Sequence, residues 1–391
     1  MRPLRVLHVI PSVSPRDGGP TQAIGIIERA LSGAGVQVTT LTTDHELDLQ
    51  DRPCPPPAGN SACRIYAHKW TNSYKVAPGL VPRLMQAVQR HDVVHIHALF
   101  SFASTAAAWV AHRRGVPYVV RPLGTLGSYG MRVRRHRLKR LSTALIEGRI
   151  LRRAAAVHFT SRTELEEAEG LGLAMRSVVI PLGVDWENAG PGVPIEHEAL
   201  VGRRVILFLS RLDPKKNLEA LIDAVASSQV LKSSCALLIA GAGEPSYVDS
   251  LKARAAAAGL CDRIAWLGHV EGAQKRSAFA TADVFVLPSF SENFGIAAVE
   301  AQLAGVPCVL GKGVAVATEV EKAGGGLAIT PEPAPMARAL ERVLGDDGLR
   351  RKMGAQATEF ANREYSTQTM TRRLLALYQE IVDNSKTSPR L

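Results

Sequence analysis

Short apolar runs and amphipathic stretches alternate along almost the whole chain. Arg5–Ile10, Val36–Leu41, Val93–His97, Tyr118–Arg121, Val157–Thr160 and Val178–Pro181 are brief and mostly β-branched, and they read as buried strands. Between them, Thr21–Ser32, Leu80–Gln89, Ser101–Arg114 and a basic stretch from about Val133 to Arg153 read as amphipathic helices. The second half repeats the grammar. Its strands are Val205–Ser210, Cys235–Ala240, Ile264–Leu267, Val284–Leu287 and Cys308–Leu310. Its helices fall near Leu218–Val225, Tyr247–Ala258, Ala273–Thr281, Ile296–Ala304 and Pro335–Leu344.

Strand–helix alternation of this kind predicts parallel sheets covered on both faces. The Gly- and Pro-rich stretch Asp185–Pro194 reads as a linker between the two halves. The expected fold is therefore α/β, with two tandem Rossmann-like domains facing a central cleft. Residues 1–184 form the first, 185–366 the second, and 367–391 a C-terminal helix and tail. That helix, about Thr367–Asp383, is placed to pack back on the first domain, and 384–391 read as a disordered tail.

Composition narrows the class. With 46% hydrophobic and 21% charged residues, the 391-residue chain is an ordinary globular protein. The longest uncharged apolar stretch, Ala98–Ala111, is too short to span a bilayer, and the N-terminus reads as a strand rather than a signal peptide. Five widely spaced cysteines (Cys54, Cys63, Cys235, Cys261, Cys308) without a Cys-x-x-Cys suggest reduced cytosolic thiols. The charge is uneven. Residues 1–185 carry 24 Lys/Arg against 13 Asp/Glu, whereas residues 186–391 carry 23 of each. The densest part, Arg132–Arg140 with Arg149, Arg152 and Arg153, points to an anionic partner such as a membrane surface, a phosphorylated acceptor or nucleic acid.

Candidate chemistry gathers where strands end. Open parallel sheets bind ligands at the carboxyl ends of their strands, and anions favour helix N-termini. Gly18-Gly19-Pro20-Thr21 lies between the first strand and helix, where glycines permit close backbone approach to a ligand or simply make a tight turn. Gly241-Ala-Gly243-Glu-Pro245 lacks the third glycine of a dinucleotide fingerprint. The loop from Ser210 to Asn217 sets Arg211 and Lys216 at a sheet edge, where a diphosphate fits between them. Glu292 follows the strand Asp283–Pro288, and Glu300 lies about a turn and a half into the next helix. Both loops leave the same predicted sheet. No Asp-x-Asp occurs, so a phosphate leaving group would be neutralised by cations and a helix terminus, with neither a metal nor a cofactor expected.

Arg211-x4-Lys216, Gly268-His269-Val270 and Glu292-x7-Glu300 together resemble the nucleotide-sugar half of a GT-B glycosyltransferase of the large retaining family 4. The first-half Gly18-Gly19-Pro20 and His95-x-His97 are similar to it as well, so the resemblance covers nearly the whole chain. It implies that Arg211 and Lys216 stabilise a departing diphosphate and that Glu300 holds the ribose hydroxyls. Glu292, with the backbone of Asn293, Phe294 and Gly295, would hold the donor sugar and phosphate. Val270, with His269 adjacent, would contact the base, and Gly18 and Gly19 would let the first domain close on the donor. Many relatives carry a sugar-contacting His at the end of the strand that here reads Tyr118–Arg121 followed by Pro-Leu-Gly124. This chain has Arg121, so Arg121 and Gly124 become candidate acceptor or sugar contacts, with His97 the nearest candidate for the histidine's part.

The expected activity is retaining transfer of a sugar from a nucleoside-diphosphate sugar to an acceptor hydroxyl, without a metal. The expected acceptor is a polyprenyl- or other lipid-linked glycan in cell-surface or exopolysaccharide biosynthesis. The 132–153 region would rest on anionic lipid at the cytoplasmic face of the plasma membrane. A sugar phosphorylase or nucleotide-sugar epimerase on the same fold is the alternative. A nucleic-acid-binding module is disfavoured, because only 5% of residues are aromatic and none interleave with the basic run.

Overall fold

The first strand buries every side chain from Val6 to Val9, the mark of a parallel strand covered on both faces. The computed structural model describes residues 2–14, 18–46, 62–71, 74–127, 142–184, 186 and 192–387. Contacts divide it into two units: Met1–Gly183 with Thr367–Leu391, and Val184–Ser366.

In the first unit, β1 (Arg5–Val9), β2 (Gln37–Thr43), β3 (Cys63–Ala67), β4 (Val93–His97), β5 (Tyr118–Arg121), β6 (Ala156–Phe159) and β7 (Ser177–Val179) form one parallel sheet, ordered β3-β2-β1-β4-β5-β6-β7. The helices are α1 (Gly19–Gly33), α2 (Leu80–Val88), α3 (Phe102–Arg114), α4 (Gly148–Arg153) and α5 (Arg162–Glu169). Ser101 and Ser161 cap α3 and α5 by accepting from the N–H groups of Ser104 and Glu164, each satisfying an otherwise orphaned donor. A π-turn, Thr143–Glu147, leads into α4. The expected basic helix therefore exists from residue 142 onward, while Arg132–Arg140 lie outside the described residues.

The second unit carries β8 (Arg204–Leu209), β9 (Cys235–Ala240), β10 (Ile264–Gly268), β11 (Val284–Leu287), β12 (Cys308–Gly311) and β13 (Gly326–Ile329), all parallel in the order β10-β9-β8-β11-β12-β13. Its helices are α6 (Leu218–Ser227), α7 (Gln229–Ser234), α8 (Pro245–Ala257), α9 (Gly272–Thr281), α10 (Ile296–Leu303), α11 (Ala317–Lys322), α12 (Pro333–Leu344) and α13 (Asp347–Tyr365). The strand order reverses between β8 and β11, the crevice position at which such sheets bind ligands. The last helix, α14 (Thr367–Thr387), belongs to the first unit and packs on α1 and β4.

Several elements differ from the sequence reading. Residues 384–387, expected to be tail, extend α14. Most of the expected linker, Asp185 and residues 187–191, lies outside the described residues. Ile195 beyond it is tied to the second unit through its N–H and Thr281 Oγ1. The strands β3 and β13 and the helices α5, α7, α11 and α13 had no predicted counterpart. In β13 the glycine is required: a Cβ on Gly326 would stand 2.3 Å from the Cys308 carbonyl oxygen of β12.

Candidate functional site

The loop leaving β8 is built to hold one lysine inward. Asp213 accepts from the Lys215 N–H at 2.9 Å and starts a 3-10 turn, Pro214–Lys216, which ends at Asn217 in the left-handed conformation (φ 59). The Asn217 amide donates to Pro331 O at 2.8 Å and to Pro288 O at 3.4 Å. The loops after β8, β11 and β13 are thus fastened together by one buried side chain. Phe290 N–H donates to Lys215 O at 3.0 Å, adding a backbone tie between the first two.

Through this arrangement Lys216 meets Glu292 in a direct ion pair, Nζ on Oε1, with side chains only 10% and 19% exposed. The Glu292 loop is pinned from its other side, because Glu292 N–H donates to Gly313 O at 2.8 Å and Glu292 O accepts from Ala315 N–H at 3.1 Å. Burial, helped by Lys215 and Arg211, pushes the Lys216 ammonium down to about 7, with Asp213 pulling the other way. The Glu292 carboxylate in contact with it likewise favours the charged form. Arg211, on the same loop, is exposed and makes no ion pair among the described residues.

Gly295 ends the Glu292 loop and caps α10. Its φ of 94 and the 2.9 Å that would separate a Cβ from Val314 Cγ1 leave no room for a side chain. Phe294 turns its ring into the core, edge-on to Tyr365 at 5.6 Å, so only its backbone remains at the loop. Asn293 is half-buried beside Glu292. About a turn and a half into α10, Glu300 is buried and accepts from Lys275 Nζ at 2.6 Å. Burial raises the Glu300 carboxyl above its ordinary range, and Lys275 opposes the rise. Lys275 is the site residue that sequence reasoning missed. Nothing in its local sequence marks it, since its partner lies on a different helix. Just before α9, Val270 is buried, while His269 is exposed and contacts Glu271 at 2.8 Å. At the same edge Gly241 N–H donates to Gly268 O at 2.6 Å.

In the first unit Gly18 (φ 65) caps α1 and Gly19 opens it, while residues 15–17 lie outside the described set. His97 is fully buried, with Nε2 2.8 Å from His8 Nδ1, so this placement does not offer it for direct sugar contact. It belongs to a layer of four histidines on one face of β1, β4 and β6. The hydrogen bonds fix two tautomers. His158 Nε2 must donate to Ile180 O (2.7 Å), so its Nδ1 accepts from His95 Nε2 (3.3 Å), and His95 Nδ1 accepts from the Tyr378 hydroxyl of α14 (2.7 Å). Burial holds all four imidazoles neutral. His8, His95 and His97 are close enough for metal ligation, yet both nitrogens of His95 are already engaged. Gly124 (φ 71) donates its N–H to Glu164 Oε1 at 2.6 Å, and Arg121, the register partner of His97, is 2% exposed.

Two family models cover most of the chain. "Glycosyl transferases group 1" matches residues 195–360, and "Glycosyl transferase 4-like domain" matches residues 18–183. The chain belongs to the GT-B glycosyltransferases of family 4. It is 32% identical over 268 residues to 2-deoxystreptamine glucosyltransferase of Streptomyces kanamyceticus, covering 65% of this chain and 68% of that protein. It is 25% identical over 392 residues to GDP-mannose:cellobiosyl-diphosphopolyprenol alpha-mannosyltransferase of Komagataeibacter xylinus, covering 97% and 94%. Among solved structures, Anabaena Alr3699/HepE in complex with UDP-glucose superposes with a TM-score of 0.75 at 19% identity, covering 96% of this chain and all of that one; this likeness concerns the fold. Within this family the pinned loops after β8 and β11 are the donor-site candidates of a glycosyltransferase.

Proposed function

We propose that this glycosyltransferase moves a sugar from a nucleoside-diphosphate donor to a hydroxyl of a lipid-linked glycan, with retention and without a metal. The observation that carries the reading is the Lys216–Glu292 contact at the reversal point of the second sheet, with Glu300 on the helix that follows. A donor diphosphate lying at the N-terminus of α10 would take Lys216 from Glu292 and draw in Arg211. Glu292 would then be free to accept from the hydroxyls of the sugar, and Glu300 from those of the ribose. The bond between the anomeric carbon and the phosphate oxygen breaks as the acceptor oxygen bonds to the same face. The acceptor's proton passes to the departing phosphate, and the nucleoside diphosphate leaves. Arg211, Lys216 and the helix terminus stabilise the charge that develops on it. The metal-free scheme is supported by the composition of these loops, in which Arg211, Lys215 and Lys216 accompany two separate acids, Asp213 and Glu292, rather than clustered carboxylates.

The acceptor side rests on the first unit. No helix among the described residues is long and apolar enough to cross a membrane. Exposed Trp109, Leu145 and Ile146 border a groove that Arg149 and Arg153 also line, and Arg113 sits 5.0 Å above the Trp109 ring. Apolar tips ringed by arginines suit peripheral docking on anionic lipid at the cytoplasmic face. The named acceptor of the Komagataeibacter relative, a diphosphopolyprenol, supports the same choice.

A thermal-shift screen of UDP-, GDP- and ADP-sugars on wild type and Glu300→Ala tests the donor assignment. One nucleotide should stabilise the wild type well above the variant. If none stabilises the wild type, the donor reading fails.

A further inference from the structure

Arg121 ends β5 as a buried cation whose Nε has no partner among the described residues. The residue is 2% exposed and makes no ion pair among the described residues. Burying a guanidinium is costly unless an anion or several acceptors receive it. The neighbours do not supply one. Glu164 is near enough to favour the charged form, but its oxygens already accept from Gly124 N–H, Thr160 N–H and the Thr160 hydroxyl. The histidine beside Arg121 in register, His97, is neutral and spends Nε2 on His8.

The surrounding backbone is also strained. In the loop after β4, Ala98 (φ 71) and Phe100 (φ 55) are left-handed; after β5, Leu123 (φ 58) and Gly124 (φ 71) are as well. Ala98 N–H donates to Arg121 O at 2.8 Å, so the two loops adjoin. Left-handed non-glycine residues are costly and gather where a ligand must be cradled. This edge is moreover the carboxyl end of a parallel sheet, where such folds bind ligands.

We propose that Arg121 forms the base of an anion subsite in the first unit, and that it takes a phosphate carried by the acceptor. The planar guanidinium fork suits a phosphate oxyanion bidentately, which a lysine would not match. That the acceptor carries the phosphate rests on the transferase reading above; the anion site itself does not.

The test is a titration of inorganic phosphate, pyrophosphate and the nucleoside diphosphate found in the donor screen, on wild type, Arg121→Lys and Arg121→Met. Phosphate affinity should fall roughly tenfold or more in Arg121→Met and by less in Arg121→Lys, with nucleotide affinity unchanged. Without ligand, Arg121→Met should melt at or above the wild-type temperature, because an uncompensated buried charge has gone. Three results would overturn the proposal. The first is phosphate binding equally to wild type and variants, or to none of them. The second is an unliganded melting temperature that falls in both variants while phosphate affinity holds, which marks a structural arginine. The third is nucleotide affinity falling in step with phosphate affinity, which would give the anion to the donor. Should Arg121→Met fail to fold, Arg121→Lys still separates fork from charge. Failure of the donor screen alone would leave the phosphate titration standing.

Discussion

Replacing Lys216 with Ala removes the one buried cation at the reversal point of the second sheet among the described residues. Its partner in the free protein is Glu292, and the two side chains are 10% and 19% exposed, so solvent screens them only in part. Two unit charges about 4 Å apart at an effective dielectric near 20 interact by about 4 kcal/mol. A diphosphate drawn to Lys216 gains an attraction of that order, and more as charge builds on the leaving phosphate. Losing a donor aimed at developing charge typically costs about 3–4 kcal/mol, so kcat should fall by roughly 10²–10³. Affinity for the nucleoside diphosphate should fall with it. Stability responds differently, because the variant strands Glu292. The double variant Lys216→Met with Glu292→Gln should therefore be more stable than Lys216→Ala yet equally inactive. Steady-state kinetics with urea unfolding separates the two effects. A Lys216→Ala enzyme with kcat within a few-fold of wild type and unchanged nucleotide affinity would refute the placement of the diphosphate.

Four further outcomes follow from the geometry. Glu300→Ala should weaken nucleotide-sugar binding by about 1.5–3 kcal/mol, raising KM more than it lowers kcat, and Lys275→Met should not rescue it. The depressed Lys216 ammonium, at about 7 when free, gives a proton signature. Its folded value lies below the unfolded one of roughly 10.4, so its contribution to stability grows as pH rises from about 7 toward that value. A bound diphosphate favours the charged form, so binding should take up protons near pH 7–8 and weaken above it; calorimetry in two buffers of different ionisation enthalpy would show none if Lys216 were not at the phosphate. Gly295→Ala, forced to φ 94 against Val314, should destabilise the second unit by about 1–3 kcal/mol in urea, and a neutral result would mean the loop is not held as described. Trp109→Ala with Arg149→Gln should lower sedimentation with anionic vesicles several-fold while sparing the chemistry on a soluble acceptor; equal sedimentation would remove this face from membrane docking.

What could be read from the chain follows from physical signal strength. Central strands such as Val284–Leu287 and Cys235–Ala240 are continuous apolar runs because both faces are covered, and their bounds agree with the structure. Edge strands are weaker signals. Cys63–Ala67 mixes Arg and Tyr into a short run, and Gly326–Ile329 begins on the third of three consecutive glycines, Gly324 to Gly326. The α13 face is Met353, Ala357, Ala361 and Tyr365, correctly spaced by four but mostly too small to stand out. That Lys216 and Glu292 share one site was legible, because both lie in loops of one predicted sheet edge, but their direct ion pair was not foreseen. Lys275 was not, since its pairing with Glu300 depends on how two helices pack. The His95-x-His97 pattern announced one polar face of a strand, but His8, His158 and Tyr378 come from distant segments that only the sheet order and α14 bring together.

The central claim is metal-free transfer from a nucleoside-diphosphate sugar with retention at the anomeric carbon. Time-resolved proton NMR of the best-binding α-linked nucleotide sugar, in excess EDTA, observes donor, product configuration and metal dependence at once. The account predicts release of the nucleoside diphosphate and first appearance of the α-configured sugar, whether transferred to an acceptor or to water. A β-configured first product, or no turnover until a divalent cation is restored, would contradict it.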